Sequence, residues 1–145
     1  MLTKYYPCQV TLDDGTVMDR VYVVSDQPYY QLWGVWPKDD RGKKEVDIRK
    51  VTDISESPSR LPIEIANEIY RAGESGMGYC LFELEFKDGQ RQACVTGNAV
   101  DFVPMPRGKA TEDIVWVLPR KGRNDPNLVH GHDYFWCLFN GVAVR

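Results

Sequence analysis

Apolar and polar residues alternate with a period of two on either side of two Asp-Gly pairs, Asp14-Gly15 and Asp88-Gly89. That pattern predicts two β-hairpins, because Asp-Gly supplies the positive φ a tight hairpin turn requires. With two-residue loops, the second hairpin sets Phe82 opposite Val95 and Leu84 opposite Ala93 on a core face, with Glu83 and Glu85 on the other. The first sets Leu12 opposite Val17 and Cys8 opposite Val21, and also places Asp19 against Val10, an awkward pair.

Between the hairpins the apolar spacing changes to that of a helix. Ile65, Ala66 and Ile69 form a stripe, Ser59 and Pro62 stand at its start and Gly73 just past its end, predicting a helix over residues 61–72. Glu64 and Glu68 toward its start and Arg71 in its last turn suit the helix dipole. Polar loops are expected at 37–44, 73–78 and 119–127, where Gly, Pro, Asn and charge cluster. The run Tyr134–Phe139 is apolar on both faces, as in a central strand covered twice, or in an edge strand covered by another subunit that would make a homodimer.

These elements add up to an α+β fold of about seven strands, mainly antiparallel and built from hairpins, in a curled or split sheet with one central helix. Superposing the two Asp-Gly turns matches residues 10–15 with 84–89, and Val51-Thr52-Asp53-Ile54 echoes Ile114-Val115-Trp116-Val117, which suggests two degenerate repeats. Length and composition fit one globular domain over 1–145: 145 residues, 43% hydrophobic and 27% charged. No apolar run nears the ~20 residues of a membrane span, and the opening residues lack a secretory pattern, so a cytoplasmic protein without a membrane partner is expected.

Charge narrows the partners. The net charge of -3 is too acidic for a general binder of phosphate backbones. Residues 61–106 carry the acidic excess, while Arg107, Lys109, Arg120, Lys121 and Arg123 make the tail mildly basic. The loop with Arg120, Lys121 and Arg123 is the place where nucleic acid would bind, an alternative to a protein partner. The cysteines Cys8, Cys80, Cys94 and Cys137 show no metal or redox spacing and read as buried free thiols.

Catalytic chemistry finds little footing. Gly73-Glu74-Ser75-Gly76-Met77-Gly78 departs from a nucleophile elbow, since Met77 replaces the second glycine and a helix precedes the segment. His130 and His132, with Asp133 or Cys137 as a third ligand, offer an alternative reading as a metal-dependent or hydrolytic enzyme. Glu83 with Glu85, or Asp39 with Asp40, could form an acid-base pair, but on a solvated face carboxylates keep ordinary acidity. No metal or cofactor is assigned.

The densest aromatic stretch, residues 28–37, points elsewhere. As a strand it alternates Tyr30, Leu32 and Trp36 against Tyr29, Gln31, Trp33 and Val35, more apolar area than one small domain buries on both faces. Tyr29, Tyr30, Trp33 and Trp36 are therefore the candidate anchors of a protein-binding module, an inhibitor or immunity-type protein that occludes its partner.

Overall fold

Both Asp-Gly turns close hairpins in the computed structural model, which describes residues 5–34, 44–120 and 127–139. Strands β1 (Tyr5–Leu12) and β2 (Val17–Ser25) form the first, β5 (Cys80–Phe86) and β6 (Arg91–Thr96) the second. Each loop has three residues rather than two. The N–H of Gly15 donates to the Leu12 carbonyl and that of Leu12 to Thr16; Gly89 to Phe86 and Phe86 to Gln90 repeat the pattern. Asp14 and Asp88 fix the turns by accepting the N–H groups of Thr16 and Gln90, each at 2.9 Å. Gly15 and Gly89 then sit at φ +87° and +88°, where a side chain is strained.

The extra loop residue shifts each hairpin register by one. In the second, Phe82 faces Cys94 and Leu84 faces Gln92, which brings Cys80 and Cys94 to the same face instead of opposite ones. All four cysteines are free and buried. In the first, Val10 faces Met18 rather than Asp19, and a bulge in β2 restores the pairing of Cys8 with Val21. Arg20 occupies that bulge with φ 59°, its Nε donating to the Asp133 carbonyl at 2.9 Å.

By their internal contacts the residues group into one unit of 3–57 with 133–145, and another of 58–132 with 1–2. The first unit holds a sheet ordered β3 (Glu45–Asp47), β9 (Phe135–Phe139), β2, β1, β4 (Val51–Ser55). The second holds a sheet ordered β7 (Ile114–Arg120), β5, β6, β8 (Val129–His130). The nine strands among the described residues thus make an α+β fold with two mixed sheets, correcting the mainly antiparallel expectation: β9 runs parallel to β2 and β3, and β8 parallel to β6. Those neighbours are distant in sequence, and hairpin grammar says nothing about them. The apolar strand β9 lies inside its sheet, hydrogen-bonded on both sides, so the open edge expected for a homodimer is taken within the chain. No helix among the described residues is long and apolar enough to cross a membrane.

The two sheets share a local plan. A 3-10 turn of residues Ile48–Lys50 leads into β4, and another of residues Thr111–Asp113 leads into β7. Asp13 donates its N–H to the Lys50 carbonyl at 2.8 Å, and Lys87 to Asp113 at 2.9 Å. The pairing of β1 with β4 slips between Thr11 and Leu12, that of β5 with β7 between Glu85 and Phe86, the equivalent step.

Helix α2 (Ile63–Ala72) follows the predicted stripe: Ile65, Ala66 and Ile69 are buried, and the Gly73 N–H caps Ile69 and Tyr70. They pack in a core with Phe82, Leu84, Cys94 and Val117. Helix α1 (Asp26–Trp33) lies where an extended aromatic segment was expected. Pro28 is harmless in its first turn, where N–H groups lack helical partners, and Gly34 ends it at φ 74° with its N–H on the Tyr30 carbonyl.

Replacing Gly89 by Ala forces a side chain into the left-handed region and is expected to cost about 1–2 kcal/mol in urea unfolding with an unchanged m-value. An unchanged midpoint would refute the strain. Burial raises the thiol pKa of Cys94 from 9.0 to about 12, and burial with the charges of Glu45 and Asp47 raises that of Cys137 from 9.0 to about 11. Both folded-state values lie above the unfolded one, so the stability these neutral thiols confer is complete below pH 9 and is lost as pH climbs toward 11 and 12. Unfolding free energy should therefore fall above pH 9 by up to about 1.4 kcal/mol per pH unit per thiol, less steeply in Cys94→Ala. A flat alkaline profile would contradict this.

Candidate functional site

The aromatic segment splits between core and surface because it is helical. Residues four apart share a helix face, so Tyr29 and Trp33 both turn to Trp136 of β9, with ring centroids 5.1 and 6.0 Å away in edge-on geometry. Tyr22 stacks on Trp136 at 5.1 Å, and Tyr5 and Tyr134 meet it edge-on. Tyr29 is 1% exposed and belongs to the core, whereas Tyr30 and Trp33 are 41% and 36% exposed. Trp36, Lys121 and Arg123 fall outside the described residues, as does the side chain of Arg120 at the end of β7.

Among the described residues the catalytic alternatives do not come together, and Asp39 and Asp40 fall outside those residues. Ser75 is bound into the strand start, its Oγ accepting the Leu81 N–H at 2.7 Å and donating to the Leu81 carbonyl at 3.3 Å. Glu74 accepts the Gly78 N–H within the same glycine turn. Arg91 lies across the hairpin from Glu85 and bridges Glu83 at 3.4 Å and Glu85 at 4.0 Å, an ion-pair network on a sheet face. His130 is exposed at the end of β8, and the His132 N–H donates to the Phe102 carbonyl. No group of three or more His, Cys, Asp or Glu among the described residues could hold a metal ion.

A different feature stands out in the unit of residues 58–132. Strand β7 reads Ile-Val-Trp-Val-Leu-Pro-Arg, and its inner edge pairs with β5. No strand among the described residues covers its outer edge. Ile114 and Val117 point into the core, but Val115, Trp116 and Leu118 are 48%, 48% and 39% exposed. Between β7 and α2 runs a groove of about 410 Å³, walled by Ile65, Ile114, Val115 and Trp116 and rimmed by Glu64, Glu68 and Arg71. Arg71 is engaged by Glu68.

The equivalent edge of the other sheet is dressed differently. Thr52 and Asp53 of β4 face solvent, and the Thr52 hydroxyl donates back to the Thr11 carbonyl at 3.1 Å; Ile54 is its one exposed large apolar residue. Charged and polar residues usually protect exposed edges from pairing with other chains. On β7 only Pro119 and Arg120, at one end, fit that description. A strand edge left open among the described residues, with apolar side chains beside a groove of mixed polar and apolar lining, is chemically suited to take an extended polypeptide as an added strand. The sequence held a signal for it: five consecutive apolar residues ended by proline, which sheets tolerate only at edges and strand ends.

No family model, curated protein sequence or solved structure matches the chain.

The placement of the tyrosines separates packing from surface. Tyr29→Ala is expected to cost about 3–5 kcal/mol in thermal or urea unfolding, as for other large buried aromatics, and Tyr30→Ala less than about 0.5 kcal/mol. Equal losses would show that the exposed ring, too, is a packing element.

Proposed function

We propose that the chain is a small protein-binding module of inhibitor or immunity type, working in the cytoplasm, that takes an extended segment of its partner onto the outer edge of β7 and so occludes it. The single observation that carries this reading is the exposure of Val115, Trp116 and Leu118 along an edge that no strand among the described residues covers. Main-chain hydrogen bonds along β7 provide affinity, and side chains of the added strand that fall alternately to either face provide specificity. Tyr30 and Trp33, exposed on α1, are a second pair of anchors for a protein partner, as aromatic rings commonly are. The shared turn, 3-10 entry and register slip of the two sheets support reading the chain as a degenerate duplication of one hairpin-based unit. On that reading one copy kept a guarded polar edge while the other became the docking strand.

Capture from cell lysate on immobilised protein, with nuclease present, followed by hydrogen exchange on the isolated complex, tests the proposal. A stoichiometric protein should be retained, the amides of Ile114–Leu118 should be protected, and Trp116→Ala should weaken binding by about 2 kcal/mol or more without unfolding the chain. Retention of nucleic acid alone, or a complex that leaves β7 unprotected, would overturn it.

A further inference from the structure

Independently of the docking edge, we propose that Met77 is a reversible oxidation site, where a peroxide converts the thioether to a sulfoxide and leaves the fold intact.

Met77 stands in the turn that joins α2 to β5 and is 97% exposed, more than any other exposed large apolar residue among the described ones. A short hairpin holds it there. The Ser75 N–H donates to the Tyr79 carbonyl at 2.9 Å and the Tyr79 N–H to the Gly76 carbonyl at 3.4 Å. Glu74 and Ser75 pin the backbone on either side through their bonds to the Gly78 and Leu81 N–H groups. Both flanking glycines are used for their lack of a side chain: a Cβ on Gly76 would come within 2.4 Å of three atoms of the Tyr79 side chain, and Gly78 has φ +81°. The turn is thus specified by its neighbours, and the fold makes almost no use of the Met77 side chain.

The other sulfur groups among the described residues are shielded. Met18 and Met105 are partly buried and pack against the cores of their sheets, and all four cysteines are buried. Met1 lies outside the described residues. Peroxides attack thiolates, and burial keeps Cys80, Cys94 and Cys137 protonated by raising their pKa values. A thioether needs no deprotonation, so exposure governs its reach to the oxidant. In the reaction the O–O bond of the peroxide breaks, one oxygen forms an S–O bond with the Met77 sulfur, and the other leaves as water. The sulfur gives up two electrons and the peroxide takes them. A sulfoxide reductase reverses the step with a dithiol, which becomes a disulfide while the oxygen leaves as water. The product places a polar group where an apolar one stood, changing the surface without changing the fold behind it.

Hydrogen peroxide applied to the full folded chain, followed by peptide mass mapping, tests the assignment. Met77 should gain one oxygen at least about tenfold faster than Met18 or Met105, with the four thiols still free for alkylation after unfolding. Chains oxidised at Met77 should keep the urea midpoint of untreated protein, and sulfoxide reductase with a dithiol should remove the added oxygen. If Met18, Met105 or a thiol reacts as fast as Met77, if oxidation at Met77 lowers the midpoint, or if the reductase leaves the sulfoxide in place, the assignment is wrong.

Discussion

Two glycines held in the left-handed region set the register on which both sheets depend. A strand has a side-chain period of two, so one residue of slip exchanges its faces. Gly15 and Gly89 close three-residue loops, and from that follow the pairing of Phe82 with Cys94 and of Val10 with Met18. The core under α2 is assembled from the face so chosen: Cys80, Phe82, Leu84 and Cys94 lie together there. In β2 the bulge at Arg20 applies a second correction and returns Val21 to the side of Cys8 and Cys137.

Register also explains why β7 is the chemically distinctive element. Its inner edge is bound to β5, and Val117 faces the core, so the strand cannot turn its remaining apolar residues inward. Val115, Trp116 and Leu118 stay exposed along an edge that no strand among the described residues covers. The structurally equivalent β4 carries threonine and aspartate in the corresponding stretch and binds one hydroxyl back to its neighbour's backbone. A polar guard on one edge and its lack on the other is a difference that folding alone does not demand.

The aromatic residues serve a separate need. The unit of residues 3–57 and 133–145 covers one sheet face with rings gathered about Trp136, and α1 contributes Tyr29 and Trp33 to it. Rings bury large areas at little entropic cost, which suits a unit whose described residues include one short α-helix for cover. Burial at this site holds the Tyr134 hydroxyl near a pKa of about 12. Aromatic density in residues 28–37 was thus informative about packing first, and only Tyr30 and part of Trp33 remain for a partner.

Local chemistry made much of this legible. Asp-Gly placed the hairpins, the spacing of Ile65, Ala66 and Ile69 between Pro62 and Gly73 placed α2, and the apolar faces of Tyr134–Phe139 marked a strand that is either interior or covered by another subunit. Each rests on interactions between residues close in the chain, whose geometry the sequence fixes through φ preference and periodicity. The loop length, the helix at Tyr29, the parallel insertion of β9 and the open edge of β7 were decided by tertiary structure. Asp-Gly accommodates loops of two or three residues, an aromatic segment ending in glycine accommodates strand or helix, and a strand's neighbours depend on residues a hundred positions away. Only the packed chain determines which edge is left without a partner, because an edge is defined by what fails to pair with it.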